Sequence, residues 1–412
     1  MSRNLTPWQT DRWFVSPWNY LDEVLQGTQF PKRVKFHDVC LRDGEQQAGV
    51  EFRTEDKVRI AEALAGAGVH RIEAGLPAVS PADEAAVREI VRLQLPAEIV
   101  AFSRCMLPDV QLAVDTGVRG VVMEIPSSHH LIEKAYRWPI EKAIDLSIEA
   151  TSFAHENGLT VSFFPIDATR AGMVELLDDL DKVATHGHVD SIGLVDTFGV
   201  ISPHAIRFFA RSVRKRLDVP LETHFHMDFG MGVANTVLAV SEGAEVIQTT
   251  VAGIGERAGN APMEETVMAL LTMYGVDTGI DTSQFYELSH LVLGLAGVAQ
   301  PSNRPVIGDR LFHVESGIIA TWVNNVGREH LTEAFPYRPE LVGQAPPEIV
   351  LGKGSGLDSV AIWLDRLGIG WNETKELEEV LAEVKAVSLA KKGLLDQDEF
   401  RDIASRVIPA GS

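Results

Sequence analysis

The 412 residues include only two cysteines, Cys40 and Cys105. Two thiols cannot build a disulfide framework, so a reducing cytoplasm fits better than secretion. The N-terminus lacks the basic-then-apolar pattern of a signal peptide. No run of about 18 apolar residues exists, which excludes a membrane-spanning helix. Positive charge is also scarce: 37 Lys and Arg against 58 Asp and Glu leave a net charge of −21. Such a surface repels nucleic acid and anionic membranes at long range. It does not exclude an anionic small substrate, because a local cation reverses the field inside a pocket.

What the sequence has is alternation. Short β-type runs occur at Val34–Leu41, Arg71–Gly75, Glu98–Ser103, Gly120–Pro126, Thr160–Asp167, Ser191–Gly199, Leu221–Met227 and Val246–Gly255. They are bounded by turn residues, as buried parallel strands are. Between them lie helical runs such as Thr54–Ala67, Pro81–Leu93, Ile140–Asn157, Pro203–Leu217 and Gly230–Glu242. In Ile140–Asn157 the residues Ile140, Ala143, Ile144, Ser147 and Ile148 recur near helical spacing. Eight strand–helix pairs predict an α/β protein, a (β/α)8 TIM barrel, with an open doubly wound sheet as the alternative.

The rhythm delimits three regions. Residues 1–30 form an arm dense in aromatics (Trp8, Trp13, Phe14, Trp18, Tyr20), predicted to pack on a barrel face or a neighbouring subunit. Residues 31–290 form the barrel. Residues 291–412 form a smaller, mainly helical module with Pro-rich connectors and two terminal helices, Lys375–Ala390 and Asp396–Val407.

Three stretches carry chemistry. In His224-Phe225-His226 alternate residues of a strand face one side, so both imidazoles point into the barrel mouth. Two imidazoles there suit a divalent metal, although an isolated H-x-H is as readily a hydrogen-bonded pair. Barrel closure brings Arg42-Asp43, at the end of the first strand, near the seventh. Asp43 then offers an anionic ligand, and Arg42 a fixed guanidinium able to stabilise an oxyanion. The Gly-rich loop Gly253–Asn260 permits close backbone approach to a ligand, and Asn260 offers an amide oxygen to the metal.

Together these stretches resemble the barrel acyltransferases that include 2-isopropylmalate, homocitrate and citramalate synthases, related to HMG-CoA lyase. The matching segments are HDVCLRDGEQQAGV, RIEAGLPA, VDTFG, HFHMDFGMGVANT and GIGERAGNAPMEE. The resemblance implies a Claisen-type condensation of an acyl-CoA, usually acetyl-CoA, with a 2-oxo acid. It implies metal ligands Asp43, His224, His226 and Asn260, the metal being Zn²⁺, Mn²⁺ or Mg²⁺. It implies Arg42 and Tyr337 as catalytic groups, and Gln46, Arg104, His130, Phe164 and Thr197 near substrate. Gly253, Gly255 and Glu256 are the corresponding candidates for the co-substrate. A homodimer with exchanged C-terminal modules is a further implication. The chain is too short for the regulatory domain of the leucine-sensitive synthases, so that control is not expected.

The pattern also breaks. Ile166 stands where many synthases have a strand-five glutamate, and an alkyl chain cannot relay a proton. Ile319 and Gly354 replace two histidines of the C-terminal module. His313 and Glu315, near the first of these, are candidates to compensate. Phe164 favours an apolar oxo-acid substituent over a second carboxylate. Three readings remain at this stage: the condensation, a carbon–carbon lyase or aldolase on the same metal site, and a non-catalytic metal-binding relative.

Overall fold

All eight predicted strands form. They are β1 (Lys35–Asp38), β2 (Arg71–Glu73), β3 (Glu98–Arg104), β4 (Gly120–Pro126), β5 (Thr160–Ile166), β6 (Ser191–Asp196), β7 (Leu221–Phe225) and β8 (Val246–Thr249). Each pairs in parallel with the next, and β1 pairs with β8, Asp38 opposite Thr249, so the sheet closes into a barrel. This architecture comes from a computed structural model, which describes residues 6–408. Several strands end earlier than their apolar runs. β1, β6, β7 and β8 stop at residues 38, 196, 225 and 249, and the chain turns there into the loops of the barrel mouth. Apolar character persists into these turns because they are buried as well.

Local signals explain the helix starts. Ser80 accepts a hydrogen bond from the Asp83 N–H, and Pro81 occupies the first turn of helix Pro81–Arg92. Ser202 and Pro203 do the same for helix Pro203–Arg216, whose last turn carries Arg214, Lys215 and Arg216 against its negative end. Helix Ile140–Glu156 forms where its periodicity places it, with Ala143 and Ser147 of the spaced residues buried. Its buried line is Ala143, Ser147, Ala150, Thr151 and Ala154, and the isoleucines flank it. The helix packs on β4 and β5, and small residues are what a close backbone approach admits.

The compact unit that holds the barrel runs from Pro17 to Gln300. Within it, the Tyr20 hydroxyl donates to the Thr272 carbonyl at 2.7 Å. A second unit combines residues 6–16 with residues 301–408. There Trp13 bridges to Tyr337, and the Phe14 N–H donates to the Pro336 carbonyl at 2.9 Å. Its helices Leu357–Leu367, Thr374–Lys391 and Gln397–Val407 enclose a core that includes Val360, Leu364, Val380 and Phe400. Ile319 packs against that core. Among the described residues no helix is long and apolar enough to cross a membrane.

One buried acid gives a pH-dependent stability. Asp38 accepts from the Cys40 N–H at 2.8 Å and from its Sγ–H at 3.2 Å. Burial pushes its carboxyl up to about 7, and these hydrogen bonds only partly oppose that. A carboxyl raised in the fold binds its proton more tightly folded than unfolded. Stability is therefore lost as pH rises from the unfolded value, about 4, through 7. The Asp38→Asn variant is expected to show no such loss. Its stability relative to the native chain should climb by on the order of a few kcal/mol between pH 4 and pH 8. Denaturant titrations at several pH values measure this, and a pH-independent difference contradicts it.

Candidate active site

β7 projects Glu222 and His224 into the barrel. His226, one residue past the strand, is held by an antiparallel bridge to Asn260. Both imidazoles face Asp43: His224 Nε2 lies 3.5 Å and His226 Nε2 3.9 Å from Asp43 Oδ2. One ligand atom from each of these three buried residues lies within 4.8 Å of the other two.

The donor set fits a divalent cation. His224 Nδ1 lies 2.8 Å from Gln248 Oε1, a contact that assigns the ring proton to Nδ1 and leaves the Nε2 lone pair toward Asp43. Burial pushes the His224 pKa down to about 3, against the attraction of Asp43, so this imidazole is neutral at pH 7. Burial pushes the Asp43 carboxyl up, but Arg42 and the two histidines outweigh it and hold Asp43 below the usual carboxylate range. An anionic oxygen and imidazole nitrogens turned on one point are what Zn²⁺ and similar ions bind. Asn260 Oδ1 and His226 Nδ1 are buried there without a hydrogen-bond partner among the described residues.

Arg42 is fixed from three sides. Its Nη1 donates to Asp43 Oδ2 at 2.9 Å, its Nε donates to Glu73, and its guanidinium carbon lies 4.3 Å from the centre of the Phe102 ring. Asn260 Nδ2 donates to Asp43 Oδ1 at 2.8 Å. Gly255 makes this approach possible: at φ +149°, a Cβ would sit 2.3 Å from Asn260 Nδ2 and 3.1 Å from Asp43 Oδ1.

The other predicted residues fall into groups. Phe164 lies inside the barrel with Val122 and Val195, its ring edge-on to His224 at 6.0 Å between centres. His130 and Thr197 meet at Asp167. His130 Nε2 is 3.3 Å from Asp167 Oδ2, and the Asp167 N–H donates to Thr197 Oγ1 at 2.8 Å. Arg104 turns to Asp109 instead, at 2.6 Å, and is more than half exposed. Gln46 is exposed, and Glu256, also exposed, pairs with Arg257 at 3.1 Å. Gly253 adopts φ +66° in the loop before Gly255. Tyr337 belongs to the second unit, edge-on to Phe312.

Sequence reasoning missed the charged layer beneath the Asp43–His224–His226 cluster. Arg71 Nη1 lies 2.8 Å from Glu222 Oε1, which also accepts from Ser162 at 2.9 Å and Ser191 at 2.7 Å. His37 stands between Glu73 and Glu222, at 3.6 and 3.8 Å. The available signal was strand parity. Arg71 and Glu73, like Glu222 and His224, alternate on one face, so the charged residues had to enter the barrel.

Gly193 on β6 leaves room for Phe164, because a Cβ there would come within 2.8 Å of the ring. The Gly193→Ala variant is expected to lose about 1–3 kcal/mol by overpacking. Chemical denaturation tests this, and an unchanged midpoint contradicts it.

A closed barrel with a carboxylate and two imidazoles converging at its mouth defines the class: (β/α)8 barrels with a donor set that fits a divalent cation beside a fixed arginine. Within that class the chain belongs to the HMGL-like family, matched over residues 33–292. A homocitrate synthase of Methanopyrus kandleri is 39% identical over 368 residues, 89% of this chain and 91% of that one. A 2-isopropylmalate synthase of Methanocaldococcus jannaschii is 36% identical over 381 residues, 92% of this chain and 72% of that one. The crystal structure of Bacillus subtilis HMG-CoA lyase shares the fold, with TM-score 0.59 and 21% identity over 66% of this chain and 97% of that one.

Proposed function

We propose that this chain condenses an acyl-CoA, acetyl-CoA first among them, with a 2-oxo acid to give a 2-hydroxy diacid. The observation that carries this reading is the Asp43–His224–His226 cluster with Arg42 Nη1 fixed 2.9 Å from Asp43 Oδ2. The likeness to synthases over 89% and 92% of this chain supports it over the lyase reading. Asp43, His224 and His226 would hold the cation, with Asn260 Oδ1 a further candidate ligand. A divalent cation bound there supplies Lewis acidity to a keto oxygen. Arg42 stabilises the negative charge that grows on that oxygen. Its two carboxylate contacts and its stacking on Phe102 hold it ready, so little reorganisation is needed during the reaction.

Phe164 lies in an apolar cluster beside His224. It favours oxo acids with an apolar substituent, because a second carboxylate would be desolvated there without a partner. We place the activity in a cytoplasmic homodimer, to whose site the partner subunit's Tyr337 would bring a proton-transfer group. A thiol-release assay with acetyl-CoA tests the reading across pyruvate, branched-chain 2-oxo acids and 2-oxoglutarate. Thiol release with the apolar oxo acids is expected. No release with any of them, or cleavage of a 2-hydroxy acid in the absence of CoA, overturns the reading.

A further inference from the structure

β4 carries one acid, Glu124, two residues before its C-terminal end. Its register neighbours are Arg104 on β3 and Phe164 on β5. Val122, on the same face of β4, packs inside the barrel with Phe102 and Phe164. Glu124 therefore faces the barrel interior one step nearer the mouth. It is half-buried, which leaves it open to a ligand.

The other acids around the mouth are committed. Asp43 and Glu73 are bound by Arg42. Asp167 accepts from Ser128 and Arg170. Asp196 accepts from Thr169 and from the N–H groups of Val200 and Ile201. Asp228 and Glu256 pair with Arg257. The Glu124 carboxylate has no hydrogen bond or ion pair among the described residues.

Its surroundings set its proton affinity. Burial pushes Glu124 up to about 7; Arg42 pulls it down, and Asp43, Glu73 and Glu256 push it up. Tyr136 and Cys105 also lie within its field, and Arg104 is its register neighbour on β3. A carboxyl poised near working pH is matched to proton transfer. Ile166, which cannot take a proton, lies on the neighbouring strand opposite Pro126, two residues beyond Glu124.

We propose that Glu124 is the general base that removes the α-proton of the acyl thioester. The inference rests on the condensation reading. The Cα–H bond breaks, and the proton goes to a Glu124 carboxylate oxygen. The released electron pair forms the new bond to the keto carbon. The C=O π pair moves onto oxygen beside Arg42. The proton returns from Glu124 to that oxygen, and water then hydrolyses the thioester, freeing the CoA thiol.

The test compares the native enzyme with Glu124→Gln and Glu124→Asp, each loaded with Mn²⁺. For Glu124→Gln, kcat should fall by about 10²–10⁴. Oxo-acid affinity by calorimetry should stay within about threefold, and the acid limb of the pH–kcat profile should disappear. The aspartate variant should regain at least about tenfold of the loss and restore an acid limb. Native-like kcat in Glu124→Gln, an unchanged acid limb, or no gain from aspartate overturns the role of Glu124 and leaves the condensation standing. No thiol release by the native enzyme overturns the condensation and this role with it.

Discussion

The Asp43→Asn variant is expected to lose about 100-fold or more in divalent-metal affinity and at least about 10³-fold in thiol release. Asp43 is the only anion in the three-residue cluster. The substitution keeps the shape and one acceptor oxygen, so Asn260 Nδ2 retains a partner where it now donates at 2.8 Å. Arg42 keeps Glu73 as its counter-ion. The fold should therefore persist while the charge that draws in a cation is lost. Calorimetry with Mn²⁺ and Zn²⁺, beside circular dichroism for the fold, reads the two effects separately. Metal binding as tight as in the native chain removes Asp43 from the ligand set.

Beneath the Asp43–His224–His226 cluster, Arg71→Leu is expected to cost about 3–5 kcal/mol of stability. Burial pushes the Glu222 carboxyl up, but Arg71 and His37 hold it below the usual carboxylate range. Without Arg71 the buried anion keeps only hydroxyl donors, Ser162 and Ser191, and the nearby His37. That is the costly case, one partner of a buried pair removed and the other left charged. The double variant Arg71→Leu with Glu222→Leu should recover most of the loss, because no uncompensated charge remains. Denaturant midpoints of both variants check this. A single variant within about 1 kcal/mol of native contradicts the account.

How legible the site was depends on distance along the chain. The run Gly120–Pro126 predicts a strand with the bounds that β4 has. His224 and His226 followed from period-two alternation within three residues. Asp43 and Asn260 needed only barrel closure, and both lie at the cluster. Arg104 was harder to place, since its turn toward Asp109 depends on how the chain leaves β3. Helix Ile140–Glu156 shows the same limit. Periodicity marked the right face, but the closeness of β4 and β5 decided that Ala143, Ser147 and Ala150 line it.

The sequence by itself determined the alternation of strands and helices and the motifs at strand ends. Both are local properties, fixed by hydrophobic period and by residues within a few positions of one another. Tertiary structure alone decided which charges are paired. Arg71 and Glu222 meet across 151 positions, and no local pattern announces that contact. It also decided which acid at the mouth is left unpaired among the described residues: Glu124 looks ordinary in Val-Val-Met-Glu-Ile-Pro, and only the closed barrel sets it beside Phe164 and within the fields of Arg42 and Asp43. Desolvation and ion pairing depend on what surrounds a group in space, so the chain had to close before its proton chemistry was defined.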